Sequence, residues 1–490
     1  MELNKFLRQP IMSYIRTGKP YPNFWGESHT SPNLIDLHGV NVSYAVYCYC
    51  NGIAYYLVDK DDIKHVKDVL FKKLYKNPKH VSYCLLKVNN AISEGELYFK
   101  SIIPNLGKLT VSELKNVIKT YHLIKLDIQT YADSTYYFSE EILNKKFNSA
   151  LDKHLGKGNS LKSMMVEILS TYDSMSFLER EKVSLAKIAL SGNPSKISSH
   201  ISKWRHKTFD YWGPITPDDE FYDRFNEFRM NYGNTKKIIE YYEEYSNKIK
   251  FKKKIVTEKY KLPKNIVLLS RLISQIGFLN DTKKYGVTRL SYLFNYVLDE
   301  ISLRTETEKE MLYYLFPSEL EDFDNIIQQN SNMWLRKRMK WFVVIFQNGK
   351  INNFTTSKSE QISKDIKSII DVKSQQHTKN LRNIKCSGIT ASNGKFEGVV
   401  VKMFSHKDIY KSKEKMVLVT PKTTVDFITA IHKAGAVITD YGGITSHSAV
   451  VSRERNIPCI VGTIKATKIF LDGDRVQVDG KTGVVKLIKR

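Results

Sequence analysis

The chain has 490 residues, a formal net charge of +25 and 42% hydrophobic side chains. That length exceeds one ordinary domain, and that apolar content excludes disorder over most of the chain. Its longest apolar runs, such as Trp341–Phe346, fall far short of the ~20 residues a membrane-spanning helix needs.

The first residues, Met1-Glu-Leu-Asn-Lys-Phe-Leu-Arg8, hold no apolar signal core, so a cytoplasmic protein is expected. Thr110-Val-Ser-Glu113 is a capping box, and Leu114, Val117, Ile118 and Tyr121 follow at helical spacing. Ser139–Phe147 and Ser160–Ser170 read as two further helices. Gly192-Asn-Pro194 and Gly213-Pro-Ile-Thr-Pro217 are turn signals. Apolar spacing from Leu268 to Leu303 predicts two adjoining helices, and Ser318-Glu-Leu-Glu321 starts another after the turn at Phe316-Pro-Ser318. Trp341–Phe346 and Ile351–Thr355 surround Asn348-Gly349, which suits a hairpin. The polar stretch from Lys358 to Lys379 has some helical pattern and then becomes a linker. No internal repeat is visible.

The cysteines at 48, 50, 84, 386 and 459 form no Cys-x-x-Cys pair, so neither a disulfide framework nor a metal site is expected. Basic runs at Lys248–Lys254 and Arg336–Lys340 raise nucleic acid as a partner, but neither lies in a recognisable nucleic-acid module. Lysines are spread along the whole chain, and a solvated basic surface is the simpler reading.

The most informative stretch is Asp440-Tyr-Gly-Gly-Ile-Thr-Ser-His-Ser-Ala-Val-Val-Ser-Arg-Glu454, closed by Pro458-Cys-Ile-Val-Gly462. Gly442 and Gly443 lead into Thr445, Ser446 and His447 at the start of a short helical pattern. Backbone N–H groups and the positive helix end favour a phosphoryl group there and oppose protonation of the imidazole. A neutral, nucleophilic His447 follows, and it reads as a phosphohistidine. Thr445 and Ser446 are ordinary N-cap residues whose hydroxyls could equally donate to phosphoryl oxygens. Arg453 either reaches a phosphate or pairs with Glu454 and solvent.

This segment resembles the phosphohistidine swivelling domain, or PEP-utiliser mobile domain, of phosphoenolpyruvate synthases, pyruvate phosphate dikinases, the sugar-phosphotransferase Enzyme I and rifampicin phosphotransferases. The matching positions are Gly442, Gly443, Thr445, Ser446, His447, Arg453 and Glu454, while Ser448, Ser452, Asn456 and Cys459 stand where small residues or glycine are commoner. Gly388–Gly398, Val417–Thr424 and Asp472–Gly480 with Thr482-Gly-Val-Val-Lys486 resemble the family's opening turn, first strand and closing hairpin. The helical part is similar in pattern to the acceptor-binding domain of rifampicin phosphotransferase-like proteins. There His206 is a candidate acceptor-site base or a packed structural histidine, and Arg205 stands where the family tends to carry glycine.

The resemblance implies a multi-domain chain: a mainly α acceptor domain over residues 1–357, a hinge over 358–385 and an α/β (β/β/α) swivelling domain over 386–490. It implies a dikinase-like phosphotransferase component, with His447 catalytic and Gly442, Gly443, Thr445, Ser446 and Arg453 in support. The sequence carries neither a Gly-x-x-x-x-Gly-Lys-Ser/Thr loop nor ATP-grasp signatures, and no phosphoenolpyruvate barrel is expected after the swivelling domain. ATP and magnesium are therefore expected on a separate ATP-grasp partner, with no cofactor bound directly and a small-molecule acceptor held by the helical domain. Two alternatives stand beside this: a phosphohistidine relay protein without its own substrate, and a basic nucleic-acid-binding protein with a vestigial mobile domain.

Overall fold

The computed structural model describes residues 6, 11–17, 37, 39–40, 42–50, 53–156, 159, 161–209, 215–329, 332–347, 350–354, 359–366, 368, 384–404, 406–423, 427–444, 446–463 and 465–490. Its N-terminal region joins a small sheet to a helical body. The strands β1 (Ile11–Thr17), β2 (Tyr44–Cys50), β3 (Ile53–Asp59), β4 (Trp341–Gln347) and β5 (Lys350–Phe354) form an antiparallel sheet in the order β1-β3-β2-β4-β5. The β4–β5 pair is the expected hairpin, closing at Gln347 opposite Lys350, while Asn348, Gly349 and Thr355 lie outside the described residues. The rest of this sheet was not expected. Every residue of β2 is buried, because its Tyr-Ala-Val-Tyr-Cys-Tyr-Cys run faces protein on both sides.

The helices in order are α1 (Lys60–Lys76), α2 (Lys79–Ile102), α3 (Val111–Leu155), α4 (Leu161–Ser170), α5 (Phe177–Leu190), α6 (Ser195–Trp204), α7 (Asp218–Met230), α8 (Tyr232–Glu243), α9 (Tyr245–Lys259) and α10 (Lys264–Thr305). Short helices follow up to Arg338, one of them Pro317–Glu321 at the expected start. The capping box is present: Thr110 Oγ1 accepts from Glu113 N–H, and Glu113 accepts from Thr110 N–H at 2.7 Å. Ser139 does not begin a new helix. It lies inside α3, which holds neither Gly nor Pro and runs unbroken for 45 residues. The two helices expected from Leu268 to Leu303 are likewise one, since Gly277 and Gly286 are absorbed by packing. At Gly286 a Cβ would sit 2.4 Å from Ile92 Cδ1, so the glycine permits close approach of α2.

Residues 359–366, expected to begin the hinge, are helical and packed on the first sheet. Ile366 is buried with Val343 and Ile345, and Ser363 Oγ donates to the Tyr49 carbonyl at 3.3 Å. An apolar residue every few positions among the polar ones gives that turn a face to bury. Of the expected hinge, 367, 369–383 and 358 lie outside the described residues.

The C-terminal region is a second sheet of eight strands, in the order β6-β13-β12-β8-β9-β10-β11-β7. These are β6 (Lys385–Ser387), β7 (Ile389–Ser392), β8 (Lys395–Lys402), β9 (Met416–Thr420), β10 (Ala434–Thr439), β11 (Cys459–Val461), β12 (Arg475–Asp479) and β13 (Val484–Lys489). β8, β9, β10 and β11 run parallel, and α11 (Ile428–Lys433) and α12 (His447–Glu454) connect them as crossovers. The expected closing hairpin is β12–β13. Period-two alternation divides the strands between two cores: Met416 and Leu418 pack toward α11 and α12, whereas Val417 and Val419 pack toward Phe470 and Val476. The loop from β10 into α12 thus leaves the carboxyl end of a central parallel strand, the usual position for a site in such sheets.

Candidate phosphohistidine site

The site begins where β10 ends. Asp440, almost fully buried, accepts from Thr463 Oγ1 at 2.9 Å, from Thr467 N–H at 3.2 Å and from the Thr467 hydroxyl. Thr463 also donates through its N–H and hydroxyl to the Thr439 carbonyl, both at 3.0 Å. These bonds pin the start of the loop to the turn after β11, a role the sequence reading did not assign to Asp440 or Thr463.

Both glycines of the pair have a steric cause. Gly442 has φ +114, a region L side chains rarely adopt, and a Cβ there would also crowd the Cβ of Ser446 at 3.1 Å. Gly443 is limited by a neighbour far away in sequence: a Cβ would fall 2.5 Å from both Asn144 Nδ2 and Glu140 Oε1 of α3. Ile444, fully buried, joins the apolar core of the helical region. The loop is therefore seated on the helical body.

Ser446 is the N-cap of α12, with extended backbone angles, and His447 is its first residue. The Ser446 hydroxyl makes no capping bond to the helix; it lies 3.2 Å from Ser448 Oγ. The helix start is thus left without its usual internal acceptor, an arrangement suited to an anion. Thr445 lies outside the described residues, and His447 is placed here by its backbone alone. Arg453 braces the loop: its Nη1 donates to the Ile444 carbonyl at 2.8 Å and the Ala391 carbonyl at 3.0 Å. In this arrangement it supports the loop backbone and β7.

The helical region also holds Tyr172 and Asp281, groups desolvated by burial. Asp281 accepts from Phe177 N–H at 2.9 Å, and burial pushes its carboxyl up to about 6. Tyr172 is pushed up by burial and then by Asp281, with Arg453 pulling the other way, so it lies between the two regions. Glu140 and Asn144 carry no motif of their own; only the fold brings them to the loop.

His206 sits elsewhere in the helical region, fully buried in the turn Arg205–Thr208. Its ring stacks on Trp204 at 6.2 Å and meets Tyr285 edge-on at 5.4 Å. Burial, then the Arg289 charge, lowers its pKa to about 3; the Lys203 carbonyl faces the ring, but neither nitrogen makes a hydrogen bond of good geometry. Arg205 has ordinary right-handed angles, φ −53 and ψ −26, so this position does not require the glycine of the resembling proteins, and its side chain pairs with Asp218. Among the described residues no group of three or more His, Cys, Asp or Glu could hold a metal ion, and no helix is long and apolar enough to cross a membrane.

Comparison with known proteins agrees with this geometry. Residues 412–483 match the family described as "PEP-utilising enzyme, mobile domain". A probable phosphoenolpyruvate synthase of Archaeoglobus fulgidus is 47% identical over 102 residues, 21% of this chain and 14% of that protein. One from Pyrococcus abyssi is 51% identical over 98 residues, 20% of this chain and 12% of its own length. A pyruvate kinase of Geobacillus stearothermophilus is 47% identical over 83 residues, covering 16% of this chain and 14% of that protein. The chain thus spans only a small part of the curated relatives it matches. Its C-terminal domain is a PEP-utilising enzyme mobile domain, and this is the portion it shares with the phosphoenolpyruvate synthases.

Proposed function

We propose that this chain is a phosphotransferase component in which His447 carries a phosphoryl group from a nucleotide site on a partner to an acceptor held by the helical region. The observation that supports this most is the seat of the Gly442–Ser446 loop against Glu140 and Asn144 of α3. A carrier must visit the place where its cargo is delivered, and this contact brings the start of α12 to the helical body. Gly442 and Gly443 give the loop its path, Ser446 starts the helix and Arg453 holds the loop carbonyl. Thr445 belongs to the same motif.

The donor in this reading is ATP, bound with magnesium by an ATP-grasp partner. On arrival the P–N bond forms at His447 and the bond to the nucleotide breaks. On delivery an acceptor oxygen takes the phosphoryl group and the imidazole leaves with the acceptor's proton. His206 stays a candidate acceptor-site residue on the sequence resemblance alone, since its ring is fully buried against Trp204 and Tyr285.

The test is labelling of the full chain with terminally labelled or β-labelled ATP in the presence of an ATP-grasp protein. The intact chain is expected to acquire an acid-labile, base-stable adduct, and His447→Ala to acquire none while remaining folded. Undiminished labelling of His447→Ala would refute the assignment.

A further inference from the structure

Ile444 belongs to the C-terminal domain by sequence, yet its fully buried side chain is part of the apolar core of the helical region. Among the described residues, neither core of the C-terminal sheet includes it. Ile389 of β7 bridges the two regions: partly buried, it packs against the helical core and also against the core beneath α11 and α12. Helix α4 lies along β7 at the same place. Arg453 ties the two segments together, since its Nη1 donates to the Ile444 carbonyl and to the carbonyl of Ala391 in β7. Loop and strand thus enter the seat as one apolar knob.

A polar group opposes this knob. Asn144 of α3 is 1% exposed, and its Oδ1 has no hydrogen-bond partner among the described residues. The other end of the amide lies under the loop: a Cβ on Gly443 would come within 2.5 Å of Asn144 Nδ2. A buried amide oxygen without a donor disfavours the state that buries it, because water satisfies it otherwise. Lifting the loop takes Gly443 off this amide and reopens it to water.

We propose that Ile444 and Asn144 are positioning residues of opposite sign on one latch. Ile444 holds the C-terminal domain on the helical region, and the unsatisfied amide of Asn144 works against it, which keeps the seat reversible. Burying one isoleucine favours seating by about ten- to a hundredfold. One orphaned amide oxygen disfavours it by about five- to a hundredfold, so the two effects are of comparable size. The proposal goes beyond the phosphotransfer reading and holds whether or not His447 carries a phosphoryl group.

The experiment is single-molecule energy transfer in the full chain, with dyes on Met230→Cys of α7 and Tyr410→Cys of the C-terminal domain. These positions are 85% and 82% exposed, whereas the native cysteines are buried. Seated and lifted molecules then form separate populations. Ile444→Ala should raise the lifted-to-seated ratio by about tenfold or more, with Ile444→Val between it and the unsubstituted chain. Asn144→Ala and Asn144→Leu should each lower the ratio by about fivefold or more. If the unsubstituted chain is already fully seated, the Asn144 effect is read in the Ile444→Ala background, where it should restore the seated population. Circular dichroism checks that each variant folds, and Ile444→Val, which removes one methyl, gives the same sign of shift should Ile444→Ala not fold. Unchanged populations in the Ile444 variants, or Asn144 variants that lift the domain, would overturn the proposal. No nucleotide or partner is used, so this failure is distinct from a failure of His447 to take label.

Discussion

Gly443 of the C-terminal domain lies so close to Glu140 of α3 that a Cβ would come within 2.5 Å of its Oε1. Glu140 is polar and partly exposed, so the glycine is required by an approach between two regions of the chain and not by the loop's own geometry. The backbone at Gly443 is not in the left-handed region, in contrast to Gly442.

Gly443→Ala should therefore weaken seating and leave folding of the C-terminal domain intact. Both opposing atoms are ends of side chains that can swing away, so alanine should cost about 1 kcal/mol and valine more. Phosphoryl loading of His447 should survive while delivery slows. Single-turnover measurement of the two half-reactions checks this, and equal slowing of both would contradict it.

Arg453→Ala should loosen the loop by removing one donor from two carbonyls, those of Ile444 and Ala391. The expected loss is about 1–3 kcal/mol in urea unfolding, and Arg453→Lys should recover part of it. Hydrogen exchange should rise around β7 and the start of α12 together. A rise at only one of them would show that the arginine does not tie the two.

At the α2–α10 contact, Gly286→Ala would force a Cβ to within 2.4 Å of Ile92. Overpacking of this kind costs about 1–3 kcal/mol. Ile92→Val removes one methyl near the clash, so the double variant should recover stability relative to Gly286→Ala. Additive losses in thermal unfolding would mean that the two positions do not meet.

His206 should make stability depend on pH. Its pKa is lowered to about 3 in the folded chain, against about 6.5 when unfolded. The unfolded state therefore takes up a proton first: the contribution is present above the unfolded pKa and is lost as pH falls from there toward the folded one. The slope is about 1.4 kcal/mol per pH unit in that window. Asp281, raised to about 6, acts in the opposite sense, so the difference between the unsubstituted chain and His206→Phe is the clean quantity. Identical denaturation profiles from about pH 6.5 to about pH 4 would reject the claim.

What could be read from the sequence was local. Thr110 and Glu113 are three residues apart, and Gly442 precedes His447 by five, so turn and cap chemistry are written in neighbouring letters. Of the first sheet only the β4–β5 hairpin was legible; β1 to β3 were not, because β2 pairs with β4, Val46 opposite Ile345, across most of the chain. Its buried strands carry no polar alternation to announce them. The single helices α3 and α10 read as pairs because apolar spacing shifts along their length while nothing breaks the backbone. For the site, the glycines and histidine were visible. Glu140 and Asn144 were not, since an interior position of a long helix carries no sign of a loop packing on it.

The small helix at 359–366, anchored through Ile366 and Ser363 to the first sheet, sets a leash. From Ile366 to Lys385, where β6 starts, there are 385 − 366 = 19 residue steps. Whatever path the chain takes between them, a peptide of that length spans roughly 65 Å at most. The attachment point of the C-terminal sheet is confined to a sphere of that radius about Ile366. In the phosphotransferase reading proposed above, any donor site would have to lie within that radius plus the reach from Lys385 to His447, a bound set by covalent geometry alone.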